Sequence, residues 1–334
     1  MSGQASNAVD ALLPAAFPPE TRVSVRGLRK CYDGVAAVAD VGFDVAAGEV
    51  LGLLGPNGAG KTTILESCAG LTRPDSGEVR ICGNDMRSRA PLARERLGVV
   101  LQATGLQEGI TPLEALRAFG ALYRRRVDAP ELLQRFDLAA VARRRVGHLS
   151  GGERQRLFLA LAFVNDPAVV LLDEPTAQLD PPMRREFHDL IRQMKREGRA
   201  LLLATHDMEE AGALCDRLLV LNAGRVVAAG APAELLATQA SALRVVVRTD
   251  AAIDVAWLAP CTAIEAPAAG VAGDAGGGGA DFTTHDLNAA LTQLSAALSA
   301  RGVRITRLDA GHGGLEELML KLSRADAAAP ARRA

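Results

Sequence analysis

The chain has 334 residues, of which 49% are hydrophobic and 23% charged, and its formal net charge at pH 7 is −1. This length suffices for one large domain and a smaller one, and the near-neutral charge argues against a protein that coats nucleic acid. No apolar run approaches the roughly 18 residues that span a bilayer, so we expect no transmembrane segment. The N-terminus lacks the charged-then-apolar pattern of a secretory leader, so we expect no leader either. Five cysteines without a Cys-x-x-Cys pair predict buried, reduced thiols in a cytosolic protein: Cys31, Cys68, Cys82, Cys215 and Cys261.

Residues 1–21 are rich in proline and small side chains and predict a flexible N-terminal arm. From residue 22 to about 235, short apolar runs alternate with segments of helical period. Such apolar runs are typical of strands covered on both faces, so the sequence predicts an α/β domain with a largely parallel sheet. The predicted strands are residues 50–55, 169–174, 200–206 and 216–224.

A helical insert is predicted at about residues 103–165. Its segment Thr111–Glu114 combines a capping hydroxyl, a proline at the first helical position and a glutamate that can reach back. Asp128–Glu131 repeats the pattern, so we expect a capping box at the start of both helices.

The composition changes after about residue 240, and residues 241–324 predict a small α+β accessory domain, followed by a tail at 325–334. Two strands, at 243–249 and 302–308, and an amphipathic helix at 286–302 are expected. A glycine-rich stretch at 271–281 predicts a flexible loop between them. The chain has no internal repeat, which indicates one catalytic core.

The strongest motif is GPNGAGKTT, which fits the pattern G-x-x-x-x-G-K-[ST] between an apolar strand and a helical segment. Glycines let backbone N–H groups converge on phosphate oxygens, and the helix that follows directs its positive end at the same anion. Lys61 would bridge the β- and γ-phosphates, and the Thr62 hydroxyl would bind Mg²⁺. The motif alone predicts a P-loop nucleotide binder. Its nucleotide-binding residues are Gly55, Pro56, Asn57, Gly58, Ala59, Gly60, Lys61, Thr62 and Thr63.

Two consecutive carboxylates end the predicted strand at 169–174. Asp173 is placed to hold the magnesium shell. Glu174 could orient and deprotonate a water aimed at the γ-phosphate, which would make it the general base. A lone surface carboxylate would be the default interpretation of Glu174, but its position beside Asp173 favours catalysis.

These residues resemble the ATP-binding-cassette (ABC) ATPases over roughly residues 22–232. The family's other elements also occur here, in the family's order. Tyr32 matches the aromatic that stacks on adenine, and Gln102 matches the glutamine that senses Mg²⁺ and contacts the transmembrane partner. The LSGGE signature supplies Ser150, Gly151, Gly152 and Glu153, Asp180 matches the aspartate for communication between two cassettes, and His206 matches the switch histidine. The resemblance implies a P-loop NTPase fold, ATP and Mg²⁺ as cofactors, and Lys61, Glu174 and His206 as catalytic residues.

Two motifs depart from the family pattern. Glu153 stands where the signature usually has glutamine, and Ala177-Gln178-Leu179-Asp180 replaces Ser-Gly-Leu-Asp. Neither change removes a residue assigned to phosphate or metal, whereas the second could alter how tightly two cassettes communicate. Serine followed three residues later by glutamate is itself a capping box, so we expect the Glu153 carboxylate to fold back onto the Ser150 N–H, away from the triphosphate.

The resemblance also implies an assembly. In the family the signature faces away from its own P-loop, so one of each per chain implies two chains that share two ATP molecules head to tail. The partner would be a second copy or a related cassette, and a separate membrane permease would hold the pair at the cytoplasmic face of the membrane. No nucleic acid is expected. The segment 311–322, with Leu315-Glu316-Glu317-Leu318-Met319, is similar to the closing helix of daunorubicin-resistance exporter subunits.

The favoured function is therefore the ATPase subunit of an ABC exporter. The alternative is a soluble non-transport ABC ATPase that acts on ribosomes or DNA, but the second cassette or long inserts of such proteins are missing from the sequence. Two arginine triplets, at 124–126 and 143–145, are interpreted by default as a solvated face. Contact with the permease or with anionic headgroups is the other interpretation.

Overall fold

The structure is a computed structural model that describes residues 21–101, 105–177, 179–237, 243–258, 261–269 and 278–312. Its contacts divide the chain into two compact units, one ending at Pro232 and the other beginning at Ala233. The predicted domain boundaries at 22–235 and 241–324 stay predictions. Several predicted features lie outside the described residues: almost all of the N-terminal arm, Gln102, Gln178, the segment 315–319 and the tail at 325–334.

The strands of the first unit form two sheets. In chain order they are β1 (Thr21–Tyr32), β2 (Val35–Ala46), β3 (Val50–Leu54), β4 (Ser76–Ile81), β5 (Asn84–Asp85), β6 (Leu97–Val100), β7 (Val169–Asp173), β8 (Ala200–Thr205), β9 (Arg217–Asn222) and β10 (Arg225–Gly230). The helices are α1 (Lys61–Ala69), α2 (Ala90–Arg94), α3 (Pro112–Gly120), α4 (Ala129–Arg135), α5 (Gly151–Ala162), α6 (Pro181–Arg196), α7 (Met208–Leu214) and, at the division between the units, α8 (Pro232–Ala237). Short 3₁₀ turns at Ala139–Val141 and Val146–His148 lie between α4 and α5.

The larger sheet has the strand order β10-β9-β3-β8-β7-β6. Strands β9, β3, β8, β7 and β6 run parallel, and only β10 is antiparallel to its neighbour. Every residue of β3, β7 and β8 is buried, because helices and the second sheet cover both faces. This confirms the predicted parallel sheet and all four predicted strands. The register pairs Leu54 with Thr205 and Asp173 with Ala204, so β3, β7 and β8 end at one edge.

The smaller sheet, in the order β2-β1-β4-β5, is antiparallel and was not predicted. Its first hairpin turns at Asp33 and Gly34, both with positive φ, as a type I′ turn requires. Val25 and Phe43 from this sheet join Leu51, Ile64 and Leu202 in one hydrophobic core. The smaller sheet therefore covers one face of the parallel sheet and of α1.

The helices of the predicted insert begin differently from one another. At Thr111 the predicted capping box is present: Glu114 N donates to the Thr111 hydroxyl, and Thr111 N donates to the Glu114 carboxylate. At Asp128 the capping box was wrong, because α4 begins there without a hydrogen bond to the Asp128 side chain. The Thr111 hydroxyl also donates to Glu114, at 2.9 Å. The ionised side chain of Asp128 has no hydrogen to donate to Glu131, and it would place a second carboxylate beside that residue.

The cysteines are free thiols, of which Cys68, Cys215 and Cys261 are buried. Burial raises the pKa of the Cys68 thiol to about 12, so it stays protonated. The prediction of buried thiols was wrong for Cys31, which is exposed near the end of β1 beside the hairpin turn. Cys82 is only half-buried.

The second unit is a four-stranded antiparallel sheet with one long helix. Its elements are β11 (Leu243–Thr249), β12 (Glu265–Ala269), β13 (Gly279–Thr284), α9 (Leu287–Ser299), β14 (Ile305–His312) and a 3₁₀ turn at Val255–Trp257, and the strand order is β12-β13-β11-β14. Strand β11 and helix α9 confirm the prediction.

The structure corrects two details of that prediction. The last strand starts at Ile305 instead of residue 302, because Gly302 (φ 70°) closes α9 and Val303 is buried beneath it. Residues 279–281 belong to β13 and not to a flexible loop, since they pair with β11. In the part of the chain that the structure describes, no helix is long and apolar enough to cross a membrane.

An aromatic and ionic cluster joins the insert to the sheet. The rings of Phe163 and Phe136 lie 5.3 Å apart, and the guanidinium groups of Arg135 and Arg199 each lie 4.9 Å from the Phe163 ring. Glu197 accepts hydrogen bonds from both arginines. Phe163 thus connects the end of α5 to α4 and to the segment that enters β8.

We expect Phe163→Ala to destabilise the first unit by about 3–5 kcal/mol, because it leaves a cavity under two cations. Denaturant unfolding followed by far-UV circular dichroism measures this. The single tryptophan, Trp257, lies in the second unit, so its fluorescence provides an internal reference. The matched control is Phe119→Ala in the same insert, where the side chain is 40% exposed and the loss should stay below about 1 kcal/mol. Equal losses for both variants would contradict the role given to Phe163.

Candidate functional site

The P-loop connects β3 to α1 and is pressed against neighbouring backbone. Gly60 precedes α1 with φ 99°, and a Cβ atom there would collide with the carbonyl oxygen of Ala37. A Cβ atom on Gly55 would likewise lie against the carbonyl of Leu221. Glycine is therefore required at both positions by backbone contact, and at Gly60 also by its left-handed conformation.

Lys61 brings a positive charge into this loop. Its ammonium donates to the carbonyl oxygens of Gly55 at 2.7 Å and Pro56 at 3.1 Å, and its side chain is 5% exposed. Burial lowers the pKa of Lys61, while the nearby carboxylates of Glu174 and Asp173 oppose that shift. The Glu174 Oε1 atom lies 3.9 Å from the ammonium.

Asp173 and Thr62 form a donor set that fits a magnesium ion. The Thr62 hydroxyl donates to Asp173 Oδ2 at 3.0 Å, whereas Asp173 Oδ1 is buried without a hydrogen-bond partner. Burial raises the pKa of the Asp173 carboxyl, and the hydrogen bond from Thr62 and the charge of Lys61 only partly oppose that shift. Among the described residues no three His, Cys, Asp or Glu side chains cluster as a metal cage. One carboxylate and one hydroxyl suit Mg²⁺, which takes its other ligands from water and phosphates.

Glu174 forms a pair with His206. Glu174 follows β7 with φ 46°, a left-handed conformation that is unfavourable for a residue with a side chain, and its N–H donates to the carbonyl of Ala204. The Glu174 Oε1 atom lies 2.9 Å from Nδ1 of His206. An ionised carboxylate only accepts, so Nδ1 carries the proton in this contact. Backbone strain of this kind is concentrated at functional sites.

Most of the predicted nucleotide-binding residues line one open cavity of about 340 Å³. Its lining includes Ala37, which the sequence did not single out. The lining residues are Tyr32, Ala37, Asn57, Gly58, Gly60, Lys61, Thr62, Thr63 and Glu174. Asp173 reaches this set through Thr62, and His206 through Glu174.

The signature lies at the start of α5, where Gly151 lines a second cavity of about 330 Å³ together with Asp173 and Glu174. Ser150 and Glu153 form the predicted capping box: Glu153 N donates to the Ser150 hydroxyl, and Ser150 N donates to the Glu153 carboxylate at 2.8 Å. Arg144 also donates to this carboxylate, at 3.2 Å. The hydrogen bond from the Ser150 N–H, and to a lesser extent the charge of Arg144, hold the pKa of Glu153 below its usual range. The described lining of the Tyr32 cavity includes none of the residues 150–153.

Two further predicted residues meet at this end of α5. Gly152 is buried, and a Cβ atom there would overlap the sulfur of Met183. Asp180 caps α6, where its carboxylate accepts from Met183 N at 2.9 Å. The signature and the Asp180 loop are therefore packed together within one chain.

Sequence reasoning missed two contacts beside Glu174. Gln155 Nε2 donates to the carbonyl of Pro175 at 2.8 Å, and the Thr176 hydroxyl donates to Glu210 Oε1 at 2.6 Å. No local pattern marks these pairs, because their members lie 20 and 34 residues apart in the chain.

Known proteins resemble a large part of the chain. The family model described as ABC transporter matches residues 38–177. The Nod factor export ATP-binding protein I of Paraburkholderia xenovorans (strain LB400) is 43% identical over 226 residues, which are 66% of this chain and 74% of that protein.

Solved structures agree with this relationship. The structure of an ATP-binding subunit of an ABC transporter is 29% identical, with a TM-score of 0.60 over 65% of this chain and 93% of its own. A dimeric, post-hydrolysis structure of the ATP-binding cassette MJ0796, bound to ADP and Pi, is 27% identical, with a TM-score of 0.57 over 63% and 98%.

We expect Asp173→Asn to stabilise the nucleotide-free protein at neutral pH, since it removes a buried charge and keeps an acceptor for Thr62. The raised pKa of Asp173 means that the folded wild type binds a proton more tightly than the unfolded chain does. When the pH falls through that raised pKa, Asp173 becomes protonated in the folded wild type, which gains stability relative to the variant. The stability advantage of Asp173→Asn therefore disappears at low pH.

Thermal unfolding across a pH series, without Mg²⁺, measures this difference. The variant should also lose the stabilisation by Mg²⁺ and ATP that the wild type shows. Equal stability of variant and wild type at neutral pH would contradict the buried charge.

Proposed function

Because the chain belongs to the ABC transporter family as an ATP-binding and ATP-hydrolysing subunit, we propose that it powers an exporter whose membrane permease is a separate chain. Export is favoured by the relative from P. xenovorans, whose name states that it serves Nod factor export. The cargo of this chain would be selected by its permease. The pair formed by Glu174 and His206 beside Lys61 is the observation that carries the catalytic part of the proposal.

In this proposal Glu174 is the general base. Its carboxylate would accept the proton of a water that attacks the γ-phosphate, and His206, held at 2.9 Å, would keep that carboxylate in place. The Lys61 ammonium would exchange its hydrogen bonds to the carbonyls of Gly55 and Pro56 for bonds to the β- and γ-phosphates, because charged oxygens are stronger acceptors for a charged donor. Tyr32 is 45% exposed at the rim of the cavity, where its ring could stack on adenine.

Thr62 and Asp173 would hold the metal, together with Gln102 as the resemblance implies. The unpartnered Oδ1 atom of Asp173 supports this assignment. When bound, Mg²⁺ neutralises phosphate charge and fixes the geometry of the triphosphate.

We further propose that two cassettes close head to tail around two ATP molecules. The signature residues 150–153 are not part of the described lining of the cavity that contains the P-loop and Tyr32, which supports assigning their helix N-terminus to a phosphate of another copy. The dimeric ADP-bound relative supports such an assembly. Asp180, beside the signature, would carry communication between the two copies.

The permease would hold this pair at the cytoplasmic face of the membrane. The insert exposes Leu122 (76%) and Phe119 (40%) next to the arginine triplet at 124–126. Arg125 pairs with Asp166 and Arg144 with Glu153, so part of each triplet serves internal contacts. The exposed apolar side chains beside positive charge support contact of this part of the insert with the permease.

Glu174→Gln tests the catalytic assignment. We expect the variant to bind ATP and Mg²⁺, to accumulate closed dimers, and to hydrolyse ATP on the order of 10²–10⁴ times more slowly, because it lacks the general base. Phosphate release and light scattering in the presence of ATP measure the two effects.

The control is Glu186→Gln, the same change at an exposed residue of α6 that pairs with Arg156. It should hydrolyse ATP like the wild type. Wild-type turnover in Glu174→Gln would contradict the general-base role, and absence of any ATP-dependent dimer would contradict the proposed assembly.

Glu153→Gln tests the signature. The carboxylate is engaged by Ser150 N and Arg144, so its charge should have little effect on ATP-driven dimerisation. We expect the ATP concentration at half-dimerisation to shift less than about fivefold, since a partly exposed ion pair contributes at most about 1 kcal/mol. Light scattering in the Glu174→Gln background measures it. A much larger tightening would mean that the Glu153 charge faces the nucleotide.

A further inference from the structure

The peptide segment that follows Glu174 is held by side chains from two different helices. Gln155, in α5, donates to the carbonyl of Pro175 at 2.8 Å. Glu210, in α7, accepts the hydroxyl of Thr176 at 2.6 Å. Both residues after Glu174 are therefore fastened, one through its backbone and the other through its side chain.

The contact between Thr176 and Glu210 is buried. Each residue is 2% exposed, so the carboxylate has given up water and depends on the donors around it. Glu210 lies in the first turn of α7, and its N–H donates to Asp207, the residue after His206. The same helix start thus supports His206 and the segment after Glu174.

A second helix braces α7 in this position. Arg184 Nη1 lies 2.9 Å from Asp207 Oδ2, and His188 Nε2 lies 3.6 Å from Glu210 Oε1. Arg184 and His188 are one turn apart in α6, which begins directly after Asp180. The start of α7 is therefore fixed to the helix that carries the Asp180 loop.

Glu174 needs such support because its backbone is strained. A non-glycine residue with φ 46° persists only where its surroundings determine its conformation. The Glu174 N–H is held by Ala204, and the next two residues are held by Gln155 and Glu210. Loss of either side-chain contact would let the segment relax and turn the Glu174 carboxylate away from His206.

We propose that Gln155 and Glu210 are positioning residues for Glu174, and that Gln155 transmits the position of the signature helix to the catalytic carboxylate of the same chain. The signature lies one turn before Gln155 in α5, so a movement of that helix displaces the Pro175 carbonyl. Engagement of the signature with one ATP would then align Glu174 at the other. This inference rests on the proposed general-base role of Glu174.

Matched variants of the full chain test the two side-chain contacts that hold the segment after Glu174. Gln155→Met removes the donor at similar length, and Thr176→Val removes the hydroxyl at constant shape, whereas Thr176→Ser restores it. We expect the first two to lower kcat for ATP on the order of 10-fold or more, because misplacement of a catalytic group is costly even when it is small. Their KM for ATP should stay near the wild-type value, and Thr176→Ser should have nearly wild-type kcat.

Two controls separate positioning from general damage. Gln193→Met makes the same chemical change at an exposed residue of α6 and should leave kcat unchanged. In the Glu174→Gln background, Gln155→Met should cause no further loss of the residual rate, since the group that it positions is already gone. If Thr176→Val does not fold, as judged by thermal unfolding, Gln155→Met alone decides.

Folded Gln155→Met with wild-type kcat would overturn the inference, as would a full additional loss of rate in the Glu174→Gln background. These outcomes are distinct from failure of the proposed function, which would show as wild-type turnover of Glu174→Gln itself.

Discussion

A single buried ammonium organises the nucleotide site. The Lys61 side chain is 5% exposed, and burial works against its charge, so it needs oxygen atoms close by. The two loop carbonyls that it contacts shape the P-loop, and the carboxylates of Asp173 and Glu174 complete its surroundings. Parallel strands make this possible, because β3 and β7 deliver these charges to one edge of the sheet. The phosphates of ATP would therefore enter a site in which the positive Lys61 already lies close to the negative Asp173 and Glu174.

Features that depend on neighbours in the chain could be predicted from the sequence. The P-loop, the pair Asp173-Glu174 and the capping boxes at Thr111 and Ser150 are set by spacing, and the geometry follows from helix and turn chemistry. The strands of the parallel sheet could be predicted because double-sided burial makes them continuously apolar. Asp128 shows the limit of pattern matching, since its spacing to Glu131 equals that of Thr111 to Glu114, yet α4 begins without a hydrogen bond to the Asp128 side chain.

Features that depend on distant contacts could not be predicted. The antiparallel sheet pairs β1 with both β2 and β4, and its register shifts interrupt the alternation of buried and exposed residues. The Asp33-Gly34 turn was its only clear local signal. Ala37 lines the nucleotide cavity because folding brings its carbonyl against Gly60, and Gln155 and Glu210 reach the segment after Glu174 across 20 and 34 residues of sequence. Such partners are chosen by tertiary packing, which a single sequence does not display.

The contact between Gly152 and Met183 has a consequence for how the signature can vary. Any side chain at position 152 would occupy the space of the Met183 sulfur, and Met183 N also binds the Asp180 carboxylate. A side chain at position 152 therefore fits only if the Met183 side chain moves away, and Met183 belongs to the first turn of α6. The residue that can stand at this point of the signature thus depends on a residue about 30 positions later in the chain.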